Sequence, residues 1–291
     1  MKNNKFLKSA SILMISATAI VFSCKEDERL TTQDSQDITE EAVTDSYFQD
    51  TDDMAGVAVE SPSESEFSGG RGKGTITIDD NRFKCSSITV TLERGANSTP
   101  QNPAGVITVD FGTAGCEDLR GNVRKGKLIF TYNGRRFMPG STVVTTSVDY
   151  SINGVKLEGT RTLTNVSSST AESPRFSVVL TNGKATFEDG SVATRASTIT
   201  WQWVKATNPV DDKLIIEQSS TAEGTTRGGR AYEVSLLKAL EYKRFCGIAV
   251  SGIKHYLIDG KKEITIDYGD GTCDRNMTIT VNGVTHNLSV D

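Results

Sequence analysis

Few residues in this chain are of types that do chemistry. His255 and His286 are its two histidines, which leaves little for Ser-His or Cys-His nucleophilic catalysis or for a histidine-rich metal centre. Neither lies in a recognisable motif. There is no G-x-S-x-G elbow, P-loop, Rossmann fingerprint or H-E-x-x-H helix. Asp267, Asp270 and Asp274 cluster around Gly269 and Gly271, but their spacing does not match the twelve-residue loop and closing Glu of an EF-hand. Tight turns favour Asp and Gly for backbone reasons alone, so a turn is expected here, with no metal and no cofactor. Trp201 and Trp203 alternate. On a strand they would share one face roughly 6.5 Å apart, a spacing that suits stacking on a sugar ring, or else they fill the core. A polysaccharide hydrolase using two carboxylates is the alternative function, because many Asp and Glu could form such a pair.

The cysteines are more informative. Lys2, Lys5 and Lys8 precede an apolar run from Ser9 to Ser23 that ends at Cys24, the layout of a secretory signal over residues 1–23. Fifteen residues make roughly 22 Å of helix, less than the ~30 Å hydrocarbon core a permanent span must cross. Val21-Phe22-Ser23-Cys24 resembles the lipobox of bacterial lipoproteins, although Phe22 stands where a small residue is usual. The resemblance implies that the Cys24 thiol is acylated; a free secreted protein is the other reading. Lys25-Glu26-Asp27-Glu28 looks like the lysine-plus-acid export signal of surface lipoproteins in Bacteroidota, or it simply opens the acidic stretch that follows.

That stretch, residues 25 to 66, holds fourteen Asp or Glu against Lys25 and Arg29. Such a segment is expected to be an extended, disordered tether over 24–66, because like charges repel and too little apolar surface is available to offset ordering. Residues 67 to 291 then carry a net charge of +4, which offers no basic footprint for nucleic acid.

The elements that would position any site read as strands. Beyond Gly70 apolar residues recur at every second place, as in Ile88/Val90/Leu92, Ile107/Val109/Phe111, Leu128/Phe130/Tyr132 and Ile264/Ile266/Tyr268, the period of a half-buried strand. Seven Asn-Gly or Asp-Gly pairs punctuate them, and several should be type I′ hairpin turns. Glu233 to Arg244 has leucines at helical spacing, but at period two Tyr232, Val234, Leu236, Leu240 and Tyr242 share a face, so a strand is expected.

Ile107-Thr108-Val109-Asp110-Phe111-Gly112, closed by Cys116, recurs as Ile264-Thr265-Ile266-Asp267-Tyr268-Gly269, closed by Cys273. Each copy has an upstream cysteine beside a phenylalanine, Cys85 and Cys246. This predicts two related modules, 67–170 and 171–291, in an all-β fold of antiparallel sheets, sandwich or barrel-like. Of the three pairings open to four cysteines, the repeat favours Cys85–Cys116 and Cys246–Cys273.

The paired segments, above all the Asp-Tyr-Gly-Asp-Gly-Thr-Cys-Asp core within Ile264 to Val281, resemble β-rich surface lipoproteins of Bacteroidota that have no assigned activity. The resemblance covers most of residues 75 to 291 and implies an exported lipoprotein in which these cysteines pair. The expected function is therefore that of a non-catalytic binding or structural module at the outer membrane or cell surface. Its expected partners are the membrane, through the lipid anchor, and a glycan or envelope protein.

Overall fold

The computed structural model describes residues 29–61 and 72–289, apart from 86, 171, 172, 244, 245, 247 and 275. Residues 1–23, expected to be a signal peptide, and Cys24, expected to be acylated, lie outside the described residues.

The chain builds one antiparallel sheet. Its first half runs through β1 (Lys73–Thr75), β2 (Thr89–Arg94), β3 (Ala104–Asp110), the short β4 (Cys116–Glu117), β5 (Val123–Asn133), β6 (Thr142–Ile152), β7 (Val155–Asn165) and β8 (Arg175–Thr186). The second half has β9 (Val192–Val204), β10 (Lys213–Ile216), β11 (Thr221–Thr225), β12 (Ala231–Lys243), β13 (Ala249–Ile258), β14 (Lys262–Asp270), β15 (Asn276–Val281) and β16 (Val284–Ser289). Neighbours in sequence are mostly neighbours in the sheet, so it is a long meander from β1 at one edge to β16 at the other. β10 and β11 lie end to end between β9 and β12, while β4 flanks β5. The expected strand at 233–244 is the body of β12. The module boundary expected near residue 170 falls in the β7–β8 connection, inside the continuous ladder.

The turn chemistry is partly as expected. Asn153-Gly154, Asp259-Gly260 and Asn282-Gly283 have both residues at positive φ, the requirement of a type I′ loop. Asn182 also has positive φ, but it lies within β8, where the pairing slips between Leu180 and Gly183. There the pair makes a bulge instead of a hairpin.

The repeat is structural. β2, β3 and β5 form a three-strand meander, as do β13, β14 and β15. In each, a disulfide joins the segment before the first strand to the segment after the second: Cys85–Cys116, the latter on β4, with Cα atoms 5.8 Å apart, and Cys246–Cys273 with Cα atoms 5.5 Å apart. Asp110 Oδ1 accepts the Gly112 N–H, and Asp267 Oδ1 accepts the Gly269 N–H, both at 2.9 Å. The same local bend thus closes β3 and breaks the register near the end of β14.

The acidic segment corrects the expectation of a disordered tether. Thr32–Glu60 is a 29-residue α-helix, α1. Thr31 caps it: its Oγ1 accepts the Asp34 N–H at 3.1 Å, and the Asp34 carboxylate accepts the Thr31 N–H at 2.9 Å, which is a reciprocal capping box. Asp34, Asp37, Ile38, Glu41, Thr44, Phe48, Thr51, Ala55, Ala58 and Val59 are buried, spaced at three and four so that they share one face. The argument from like charges failed because that face does not meet water. It meets cations carried by the sheet.

Phe48, Met54, Ala55, Ala58 and Val59 in the second half of α1 pack on Ile107, Val109, Phe111, Leu128 and Phe130. Ile38 in its first half packs on Tyr256, Ile258, Ile264, Ile266 and Ile279. The two copies of the repeat thus floor two cores, and one helix roofs both. Each fully buried aliphatic or aromatic side chain here contributes ~1.5–3 kcal/mol.

Candidate functional site

Two constellations stand out: the ionic seam under α1, and an aromatic surface where β7, β8 and β9 meet the β5–β6 loop.

The seam follows the helix. Asp50 accepts Arg124 Nη1 of β5 at 2.5 Å, and Asp52 takes the Arg161 guanidinium of β7 through both oxygens. Asp45 meets Arg195 Nη2 of β9 at 3.0 Å. Glu41 accepts Arg195, Lys254 Nζ of β13 at 3.0 Å and the Tyr256 hydroxyl at 2.9 Å. Asp34 meets Lys262 Nζ of β14 at 2.5 Å, and Arg230 Nη1 donates to Asp34 at 2.9 Å and to Asp37 at 2.8 Å. Asp34 and Asp50 are sixteen residues apart, about 24 Å along a helix. Their partner strands lie eight ladder steps apart, about 38 Å along a flat sheet. The sheet therefore curves across the helix, which lies on its concave face.

The electrostatics follow from this packing. Burial alone would raise the Glu41 carboxyl, but Lys254 and Arg195 outweigh it and hold it at about 2. Asp34 is lowered as well: burial opposes ionisation, while Lys262, Thr31 and Arg230 favour it. The Tyr232 hydroxyl, facing the seam, is pushed up to about 12, chiefly by burial. These displaced groups do not face an open cleft. Phe48 and Thr51 leave a cavity of only about 20 Å³ against Leu128 and Leu157, and the acids are consumed in holding the helix.

The aromatic surface contains the two predicted tryptophans, which the structure places differently. Trp201 stacks on Phe176 with ring centroids 4.6 Å apart and belongs to a small core with Leu163 and Val178. Trp203, two residues on, is 36% exposed and donates its indole N–H to Asp212 Oδ2 at 2.9 Å. Phe137, from the β5–β6 loop, lies 6.0 Å edge-on to Phe176 and 6.4 Å from Trp203. Phe137 and its neighbour Met138 are 41% and 46% exposed. Arg136 covers Phe137 and Phe176 at 5.5 and 5.6 Å, and Lys205 Nζ lies 5.3 Å over the Trp203 ring. The sequence reading missed Phe137, Arg136 and Asp212, whose only signal is that they lie in loops.

The remaining expected positions are local. Asp267, Asp270 and Asp274 cap turns by accepting the N–H groups of Gly269, Thr272 and Asn276 at 2.9 to 3.0 Å. His255 Nδ1 lies 3.5 Å from Ser235 Oγ, and His286 is exposed on β16. Among the described residues no helix is long and apolar enough to cross a membrane. No protein-family model, curated protein or solved structure matches this chain.

Proposed function

We propose that this chain is an exported lipoprotein, anchored through Cys24 at the outer membrane or cell surface, that acts by binding and not by catalysis. The observation that carries the binding reading is the exposed rim of Phe137, Met138 and Trp203 with Arg136, Lys205 and Asp212 around it. An aromatic face with charged hydrogen-bonding groups at its edge fits a sugar ring, which offers C–H groups on one face and hydroxyls around it. A glycan of the envelope or of its surroundings is accordingly the ligand class.

Two further observations support the reading. The paired cysteines suit an oxidising compartment. Glu41, the buried acid held at about 2, is packed against Lys254 and Arg195 and has no room for a substrate. Because α1 begins after Thr31, only seven residues separate it from Cys24, which at full extension is about 25 Å. The sheet is therefore held close to the lipid surface, not on a long leash.

Affinity electrophoresis of the purified protein through a panel of polysaccharides tests the proposal. Retardation by at least one polysaccharide, lost in Trp203→Ala with an unchanged melting midpoint, is expected. Hydrolysis of a polysaccharide, abolished by replacing a single Asp or Glu, would overturn it in favour of the two-carboxylate enzyme.

A further inference from the structure

β16 ends the sheet. It pairs with β15 without interruption from Val281↔Val284 to Asn276↔Ser289, and among the described residues no strand lies beyond it. The Asn282-Gly283 loop is of type I′, and the residues flanking such a two-residue loop exchange their backbone hydrogen bonds. Alternation then fixes the rest. The backbone groups of Val284, His286 and Leu288 point into β15, and those of Thr285, Asn287 and Ser289 point out of the sheet.

Exposed edges are normally guarded by a charge, a proline, a bulge or sheer shortness. β16 has six residues, no proline, no Asp, Glu, Lys or Arg and no break in register. The opposite edge differs, since β1 is three residues long and begins with Lys73. The apolar side of the sheet also runs out to β16, where Leu288 is half-buried against the core and Val284 is exposed. Val284 and Leu288 lie opposite Val281 and Met277, which are 0% and 4% exposed, yet Val284 is 38% exposed.

We propose that β16 pairs antiparallel with β16 of a second copy of this chain, about a two-fold axis through Asn287. In that register Thr285 faces Ser289 of the second copy, Asn287 faces its counterpart, and the outward residues exchange about six N–H to C=O bonds. The strand suits a copy of itself. It has no Asp, Glu, Lys or Arg that symmetry would set against its like, and its facing pairs, Thr with Ser and Asn with Asn, hydrogen-bond across strands. The contact is isologous and closes at two.

Sedimentation equilibrium of the purified full chain, in density-matched detergent to accommodate the N-terminal apolar run, tests this. A monomer–dimer equilibrium is expected over micromolar to millimolar concentrations. Asn287→Pro removes an N–H that β15 does not use and that an edge strand tolerates losing, and it should weaken the dimer at least ~10-fold. Thr285→Lys, which keeps the backbone and brings a charge to the contact, should do the same. Both variants should retain the parent's melting midpoint measured on the dilute monomer. A monomer at every concentration, a dimer indifferent to both variants, or open-ended assemblies from β1 joining β16 head to tail would each overturn the proposal.

Discussion

Glu41 and Lys254 are 213 residues apart in sequence and 3.0 Å apart in the fold. The pair joins the first turns of a helix to a strand near the far edge of the sheet, and Arg195 on β9 completes it. Glu41 and Arg195 expose 1% and 2% of their side chains. Replacing Glu41 by Ala leaves two cations facing a dry seam, a loss that typically costs ~3–5 kcal/mol. Urea unfolding of Glu41→Ala should show a midpoint lowered accordingly at an unchanged slope. An unaltered midpoint would mean that α1 does not sit where the structure places it.

The same pair sets a pH dependence. The Glu41 carboxyl has an ordinary value of 4.5 and about 2 in the fold, so the fold favours its ionised form. That contribution is complete above about pH 4.5 and is lost as pH falls toward 2. Asp34, also lowered, acts in the same direction. Stability measured by denaturant should therefore fall through this window, and Glu41→Gln should flatten the fall while lowering stability at neutral pH. Equal acid sensitivity in the parent and Glu41→Gln would exclude Glu41 as its source.

How far the sequence revealed this arrangement depends on what the hidden face of each element is made of. β3 and β14 hide Ile107, Val109, Ile264 and Ile266, so period-two hydrophobicity discloses them, and the shared Asp-aromatic-Gly bend discloses their disulfides. α1 hides Asp34, Asp37 and Glu41 alongside Phe48 and Ala55. A face half carboxylate and half apolar produces no hydrophobic stripe, so the segment reads as a solvated acidic run. The residues that rescue it, from Arg124 to Lys262, are scattered over five strands and a turn, and each looks like an ordinary surface cation. The legible signal was Thr31-Thr32-Gln33-Asp34, a capping-box spacing. For the candidate site, the Trp201/Trp203 alternation placed both rings on one face. Which of them is exposed depends on Phe176 and Phe137, brought in by β8 and a loop, and no local pattern reports that.

The capping box carries its own expectation. Thr31→Ala removes the oxygen that accepts the Asp34 N–H, and losing an N-cap costs about 1 kcal/mol. Thr31→Ser keeps the oxygen and should retain most of the stability. Thermal melts of the two variants check this, and equal losses would show that the methyl group matters and the cap does not.

Gly126 and Gly190 separate two kinds of glycine requirement. Both have positive φ, so an alanine at either position should cost about 1–2 kcal/mol from backbone conformation. At Gly190 a Cβ would meet open space; at Gly126, in the bulge between β5 and β6, it would overlap the Asp149 carbonyl. Gly126→Ala should therefore be the more damaging by a clear margin in chemical denaturation. Equal effects would place the cost in φ alone.

Cys85–Cys116 and Cys246–Cys273 close loops of 31 and 27 residues, each worth roughly 3–4 kcal/mol on the chain-entropy account. Non-reducing peptide mapping should recover these two pairs. Cys85→Ser and Cys246→Ser should each lower the denaturation midpoint, with reductant adding little further loss from the bond already removed. Recovery of Cys85 joined to Cys246 would refute the modular stapling.

A chain lacking residues 29 to 61 would leave Arg161, Arg195, Lys254 and Lys262 on the concave side of the sheet without the helix's carboxylates, would leave Arg124 with Asp118 alone, and would uncover two apolar floors. Such a chain should lose its cooperative melt and bind hydrophobic dye. A synthetic peptide of residues 29 to 61 should restore the transition, with a midpoint that rises with peptide concentration as mass action requires. Added salt should weaken the rescue less than it would weaken a surface ion pair, because the seam is dry and screening acts mainly on exposed charges. A truncated chain that melts cooperatively at the parent's midpoint would show that the helix is an accessory to the sheet and not its core.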